Sequence, residues 1–316
     1  GYEVECPWHG SKFDVRTGEV KNPPASEPEP RYQVKVDGTN ILVKKQGRSK
    51  SSEIELSLIE KNKVNGTDVM SFKFSKHNDD QINNKTLNYN AGQFAFFDIG
   101  QVFNDPKGPI RHFTISSSPT ENFIMFSTRI RDSPYKKRLS TLEKGAKVKV
   151  RGPEGQFVLH QDYSKYTVFL SGGIGVTPFR SMIKYATDMQ LPIPIIMFDS
   201  NRDPNNILFK KEFDDWASIN KNLKIIYTIS EKVEKEKEEQ QQHNEQSPLS
   251  TINDWKGEYG RIDKAMILKY LDTNVLNNSI FYICGPPSML KAMQTLLQEE
   301  LEIPKERIKV EEFTGY

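Results

Sequence analysis

Beyond Tyr166 the chain repeats one pattern. Strand-like runs at 167–170, 193–198, 223–229 and 280–284 alternate with helix-spaced apolar residues at 179–189, 263–270 and 288–301. Parallel strands need long crossover connections, so this alternation predicts a parallel sheet with helices on its faces over 163–316. The preceding region has another texture. Short β-rich runs at 70–74, 94–99, 123–130 and 147–150 are separated by Gly, Pro and Asn, which predicts an antiparallel barrel over 53–162. Residues 1–44 are rich in turn formers and end in a hairpin pattern, with alternation at 31–36 and 41–43 about Asp37-Gly38. Residues 45–52, polar and basic, read as a linker. The expected fold class is therefore mainly β at the N-terminus, followed by an α/β domain. Residues 231–250 carry Glu-Lys repeats and a Gln run, and read as a solvated insertion, either disordered or helical.

A chain of 316 residues accommodates two complete domains plus a piece. A formal net charge of +2 gives no reason to expect nucleic acid or an anionic membrane as a partner. No run of apolar residues is long enough for a transmembrane helix. The two cysteines, Cys6 and Cys284, exclude a disulfide framework and suit a reducing compartment, so a cytoplasmic location is expected. The opening Gly-Tyr-Glu-Val-Glu-Cys reads as a cut through a longer protein.

Three motifs carry chemistry. In Cys6-Pro7-Trp8-His9-Gly10, a thiolate and an imidazole lie within reach of one metal centre, iron or zinc. In Ser171-Gly172-Gly173-Ile174-Gly175-Val176-Thr177-Pro178, a glycine turn follows a strand and opens a helix. Glycines let the backbone approach phosphates, the helix N-terminus favours their charge, and Pro178 suits a first helical turn. In Arg111-His112-Phe113-Thr114-Ile115-Ser116-Ser117-Ser118-Pro119, strand alternation points Arg111 and Phe113 the same way. An Arg fork pairs with a pyrophosphate, and a flat ring stacks on another flat ring. Ser133-Pro134 predicts a helix start whose N-terminus, with Lys136, Lys137 and Arg138, faces an anion; a solvated basic helix face is the other reading. Cys284 at the carboxyl end of a parallel strand is placed either at a ligand cleft or in the core. After the next strand, Asp199 suits a ribose 2′-hydroxyl and Arg202 a 2′-phosphate; these cues conflict, and the balance leans to NADH.

The motifs resemble those of the ferredoxin reductase superfamily. The Arg111–Thr114 box is similar to its flavin box, with Phe113 where the family often has Tyr. Gly92-Gln93-Phe94, residues 152–157, the glycine loop, Cys284-Gly285-Pro286-Pro287 and the acidic-aromatic tail from Glu311 to Tyr316 match as well. Cys6 to Gly10, with Phe13-Asp14, Thr17-Gly18 and Pro23-Pro24, resembles the second cluster-binding box of Rieske domains. The first resemblance implies FAD, preferred over FMN, and NADH or NADPH. Phe113 would stack on the isoalloxazine, Thr114 would bond the flavin near N5, and Ser117 would bond a phosphate. Cys284 would lie beside the nicotinamide, with Thr114 and Glu311 completing the catalytic set, and Tyr316 either covers the flavin or frays. The candidate cofactor-binding set is Arg111, Phe113, Thr114, Ser117, Lys137, Arg138, Gly172, Gly173, Gly175, Thr177, Pro178, Arg202, Cys284, Gly285, Pro286 and Tyr316. The second resemblance implies that Cys6 and His9 are half of a [2Fe–2S] ligand set, so that a complete cluster is expected only in a longer protein. The implied activity is hydride transfer from NAD(P)H to FAD, then single electrons to a Rieske centre and an unknown acceptor. Alternatives are the reductase component of an oxygenase and a non-catalytic FAD electron-transfer subunit.

Overall fold

The computed structural model describes residues 2–5, 11–22, 32–37, 40–45, 53–64, 66–77, 86–230 and 255–312. The chain divides into two compact units, 1–53 and 54–316. In the first, β1 (Glu3–Glu5), β2 (Lys12–Asp14) and β3 (Val20–Asn22) form an antiparallel sheet in the order β1-β2-β3. The turn after β2 is closed by Asp14, which accepts from the Arg16 amide and side chain, and by Gly18 at φ +73, whose N–H donates to the Asp14 carbonyl. Strands β4 (Tyr32–Asp37) and β5 (Asn40–Lys45) pair antiparallel. The strand thus runs one residue into the expected linker, because Lys45 pairs with Tyr32. Cys6, His9 and the 231–250 segment lie outside the described residues.

The second unit opens with an antiparallel sheet of six strands, in the order β10-β7-β6-β11-β8-β9. These are β6 (Ile54–Lys63), β7 (Val69–Ser75), β8 (Phe94–Asp98), β9 (Ile110–Thr114), β10 (Phe123–Arg129) and β11 (Lys147–Glu154). Alternation builds its core: Val148 and Val150 turn inward while Lys147 and Lys149 turn out. Phe72, Phe74, Phe97, Phe113 and Phe126 fill the interior, each burial worth roughly 1.5–3 kcal/mol. Between β10 and β11 lies α1 (Pro134–Thr141), capped by Ser133, whose hydroxyl accepts from the Lys136 amide as its position predicts.

The remainder is a parallel sheet of six strands, ordered β15-β14-β13-β12-β16-β17. In chain order it runs β12 (Tyr166–Gly172), α2 (Thr177–Asp188), β13 (Ile195–Asn201), α3 (Lys210–Ile219), β14 (Leu223–Ile229), β15 (Glu258–Tyr259), α4 (Lys264–Tyr270), α5 (Thr273–Asn277), β16 (Ser279–Gly285), α6 (Pro287–Thr295) and β17 (Ile308–Glu312). Helix α2 buries Phe179, Met182, Ile183 and Ala186, the spacing of one helical face, against Phe169, Met197 and Tyr282 of the sheet. The other sheet face packs Val168, Leu170, Phe198, Phe281 and Ile283 against residues of α4 and α6. The helix expected over 288–301 stops at Thr295 and widens into a π turn over Leu296–Glu300.

Candidate functional site

Two cavities open in the second unit. The first, of about 470 Å³, lies beyond the carboxyl ends of β12, β13 and β16. The connection from β12 leads to β13 on one side while β16 pairs on the other, so this is the point of strand-order reversal where open α/β sheets bind ligands. Gly172 and Gly173 form one wall and Pro286, Ser288 and Met289 another, while Arg129 reaches in from the barrel. Ser200, Arg202, Ser230 and Arg261 line the far end. A Cβ on Gly172 would lie 2.2 Å from Met289 Sδ, and Gly173 takes φ +55. Gly175 serves packing instead: its Cβ would meet the Cys284 carbonyl oxygen at 2.3 Å. Thr177 and Pro178 are buried in the first turn of α2, where Thr177 Oγ1 donates to the Ile174 carbonyl at 3.1 Å. Of the glycine-loop candidates, then, Gly172 and Gly173 face the cavity, while Gly175, Thr177 and Pro178 shape the loop beneath it. Gly285 is likewise buried behind Pro286.

Asp199 does not fit the expected ribose contact. Its carboxyl is fully buried and forms no part of the cavity wall. Asn201 Nδ2 donates to Asp199 Oδ2 at 2.8 Å, Asp199 Oδ1 has no partner, and burial pushes the carboxyl up to about 7. The neighbouring Ser200 and Arg202 do line the wall, and the lining among the described residues holds no carboxylate.

The second cavity, of about 730 Å³, is bounded by Phe96, the run Arg111, His112, Phe113 and Thr114 on β9, the start of α1, Arg151, and Glu311 and Glu312 on β17. Arg111 is tied down by the protein. Its Nη2 donates to Asp105 Oδ1 at 2.6 Å, and its Nη1 donates to the carbonyls of Lys107, Gly108 and Ile110 at 3.0, 2.9 and 2.8 Å. A phosphate here would share the guanidinium with Asp105. Phe113 is only 5% exposed, and its ring stacks on Phe126 at 4.2 Å and 5°. The Lys136 ammonium lies 4.7 Å over the same ring, so a flavin reaches that face only when Lys136 swings aside. The expected open platform is thus closed by two protein groups.

Three further expectations need correction. Ser117 is buried and its oxygen accepts from the Met125 amide at 2.9 Å and pairs with the Tyr89 hydroxyl, so it holds the barrel together and faces no phosphate. Lys137 and Arg138 are exposed and do not line the cavity; Lys137 pairs with Asp132. Lys136 lines it instead. It donates to Thr128 Oγ1, and burial, with Arg111 and Arg131 nearby, brings its ammonium down to about 7. Thr114 and Glu311 both line this cavity, and burial pushes the Glu311 carboxyl up to about 7. Cys284 reaches neither cavity. It is fully buried against Phe169, Val176 and Tyr282, and burial, then Glu311, raises its thiol. Tyr316 lies outside the described residues.

The cavities approach each other at the ends of β16 and β17. Cys284 pairs in register with Glu311 and Gly285 with Glu312; Pro286 borders the first cavity, and both glutamates border the second. Pro286 directly follows the Gly285–Glu312 pair, so walls of the two sites stand on neighbouring strands. Sequence reasoning missed Arg129, Arg151 and Arg261, which come from distant segments; it named Lys136 together with Lys137 and Arg138, and helical phase alone singles out Lys136 as the cavity residue.

The family described as "Oxidoreductase NAD-binding domain" matches residues 169–295, and "Rieske [2Fe-2S] domain" matches residues 1–47. The chain is 29% identical over 219 residues to one component of the Na(+)-translocating NADH-quinone reductase of Marinomonas sp., covering 65% of this chain and 49% of that protein. It is 28% identical over 215 residues to the glycine betaine monooxygenase reductase subunit of Pseudomonas aeruginosa, covering 66% and 52%. The chain thus spans about half the length of these curated relatives. In fold it is similar to the flavohem-like FAD/NAD binding domain of nitric oxide dioxygenase from Vibrio cholerae, with TM-score 0.63, 17% identity, and 82% and 98% of the two chains covered.

Proposed function

We propose that this chain is an FAD-dependent NAD(P)H oxidoreductase of the ferredoxin reductase type, with a Rieske [2Fe–2S] domain at its N-terminus, and that it serves as the reductase component of an oxygenase. The adjacency of the two cavities carries the reading. The first offers glycine backbone and arginines to a dinucleotide. The second offers aromatic surface and cations, a fit for a flat ring bearing a pyrophosphate. A flavin held there would supply the means to accept hydride from a dihydronicotinamide and to pass the two electrons on singly, as an iron–sulfur centre requires. The chain's own residues bind and orient. Gly172 and Gly173 admit phosphates, Arg202 meets the ribose end, and Lys136 and the α1 N-terminus face the flavin phosphates. Thr114 would bond the flavin ring, and Glu311, poised near neutrality, would hold a proton at the wall of the second cavity. Cys6 and His9 supply two ligands of the cluster. A cytoplasmic location remains part of the proposal; no described helix is long and apolar enough to cross a membrane.

With Asp199 withdrawn from the wall and Arg202 forming no ion pair with any described residue, NADPH fits the first cavity better than the leaning to NADH allowed. A non-catalytic electron-transfer subunit has no use for so complete a dinucleotide cavity. The test is stopped-flow bleaching of the flavin by NADH and by NADPH, with ferricyanide as a one-electron acceptor and chromatography of the released flavin. We expect FAD, rapid bleaching and preference for NADPH. Failure of both nicotinamides to bleach a bound flavin would eliminate the reading; preference for NADH would eliminate the role of Arg202.

A further inference from the structure

One arginine occupies the seam between barrel and parallel sheet. Arg180, on α2, is 1% exposed, and all five of its N–H donors are engaged. Nε and Nη2 donate to the Glu212 carboxylate on α3 at 2.8 and 2.5 Å. Nη1 and Nη2 donate to the Glu121 carboxylate of the barrel at 2.9 and 3.1 Å, and Nη1 also reaches the Ser116 carbonyl at 2.9 Å. The two bonding directions differ in what they join. Glu212 ties α2 to its neighbour within the sheet domain. Glu121 and Ser116 tie it across the seam, to the chain just beyond Phe113-Thr114.

The contact is reinforced on both sides. Glu121 Oε2 accepts from the Ser118 amide at 2.6 Å, which makes the barrel loop rigid, and Ser181 Oγ donates to the Ser117 carbonyl at 2.6 Å. Helix α2 begins at the end of the glycine loop, three residues before Arg180. Hydride transfer depends steeply on the distance and angle between two rings, one held by each side of this seam.

We infer that Arg180 is a positioning residue: by bonding Glu121 and Ser116 across the seam, it sets the glycine loop against the flavin strand and so fixes how the nicotinamide meets the flavin. This rests on the oxidoreductase reading above. Arg180 touches neither cavity and acts through the elements it joins.

The test compares Arg180→Met, Glu121→Gln and Glu212→Gln in the full chain. Measured are flavin content, melting temperature, nicotinamide Kd, the flavin-reduction rate at saturating nicotinamide, and the long-wavelength absorbance of a nicotinamide stacked on flavin. Amide exchange at Ser118 in cofactor-free protein supplies a readout independent of turnover. For Arg180→Met and Glu121→Gln we expect retained FAD, faster exchange, a weakened stacking absorbance, and reduction slowed about 10- to 100-fold with Kd within about threefold. Glu212→Gln cuts a bond inside the sheet domain only, so it lowers the melting temperature without that loss of rate. Parental rate and absorbance in Glu121→Gln would overturn the inference, and so would an equal loss of rate in Glu212→Gln. Should Arg180→Met fail to fold, these two variants decide. An inactive parent would instead indict the oxidoreductase reading itself.

Discussion

Asp199 carries a carboxyl into a sheet row with no counter-charge. Its register partners are Ser171 and Tyr227, and one of its oxygens has no partner. The folded chain therefore favours the neutral acid, with burial raising the group from 3.8 to about 7. A carboxyl raised on folding adds stability that is complete below its unfolded value and lost as pH rises through the folded one. From pH 5 to 8 this amounts to about 2–4 kcal/mol. Glu311 contributes in the same direction, while Lys136, lowered on folding, adds stability as pH rises above about 7. The difference between parent and Asp199→Asn isolates the single group. We expect the melting temperature of the variant to fall less between pH 5 and 8, since the amide still accepts from Asn201 and never ionises. Parallel curves would show that Asp199 is already paired. The sequence placed Asp199 and Arg202 just after a strand ending at 198, whereas β13 runs on to Asn201 and takes Asp199 into the sheet. Which of them faces ligand depends on the pleat and on helices packed from far along the chain, and no local pattern records that. The same holds for Cys284, whose position at the end of β16 was legible while its enclosure by Phe169, Val176 and Tyr282 was not.

Helix α1 shows what a local pattern does deliver. Ser133 and Pro134 mark its start, and the structure places the cap there. A helix turns about 100° per residue, so consecutive cations in Lys136, Lys137 and Arg138 cannot share a face. Tyr135 and Leu139 anchor the helix in the barrel core, and that phase turns Lys136 inward and the next two outward. Lys136 is therefore the residue expected to meet the flavin phosphates. Lys136→Met should weaken FAD retention about 10-fold or more, the loss of one charge-assisted bond, whereas Lys137→Met and Arg138→Met should leave it within about twofold. Because the ammonium titrates near 7 before the anion binds, affinity for FAD should also decline between pH 7 and 9, and this decline should vanish in Lys136→Met. Titration of apoprotein with FAD, followed by flavin fluorescence, measures both. Equal losses in all three variants would return the site to a diffuse basic surface. Other elements were less legible. Strand β17 joins the parallel sheet only through β16, and β6 pairs with strands on both sides, so their roles depend on contacts remote in sequence.

The larger unit joins two architectures through a seam that sets polar contacts beside apolar ones, with Val69, Ala91 and Phe157 packed in one cluster with residues of α2. Arg180 takes the Glu121 carboxylate largely out of water while Glu212 stays partly solvated, Ser181 donates across to Ser117, and Thr120 donates across to Asp188 at the exposed rim. Tyr282 ties in the connecting segment, accepting from the His160 amide at 2.9 Å and donating to the Val158 carbonyl at 3.0 Å. Buried ion pairs contribute little net stability when intact, because desolvation offsets attraction, but removing one partner leaves a buried charge and costs about 3–5 kcal/mol. Neither half can shed the other without exposing such groups, so the barrel and the sheet domain should unfold as one. Two probes report the halves separately. Trp216 and Trp255, two of the three tryptophans, belong to the sheet domain, while flavin release reports the barrel. In the parent, thermal transitions followed by tryptophan emission and by flavin fluorescence should share one midpoint. In Arg180→Met the seam carries an uncompensated Glu121, the coupling weakens, and the two midpoints should separate by several degrees, a shift of about 2–4 °C per kcal/mol being usual for chains this long. Midpoints already separate in the parent would mean that the seam is a contact between independent domains; midpoints still coincident in the variant would mean that apolar packing, rather than the arginine, holds the halves in one cooperative unit.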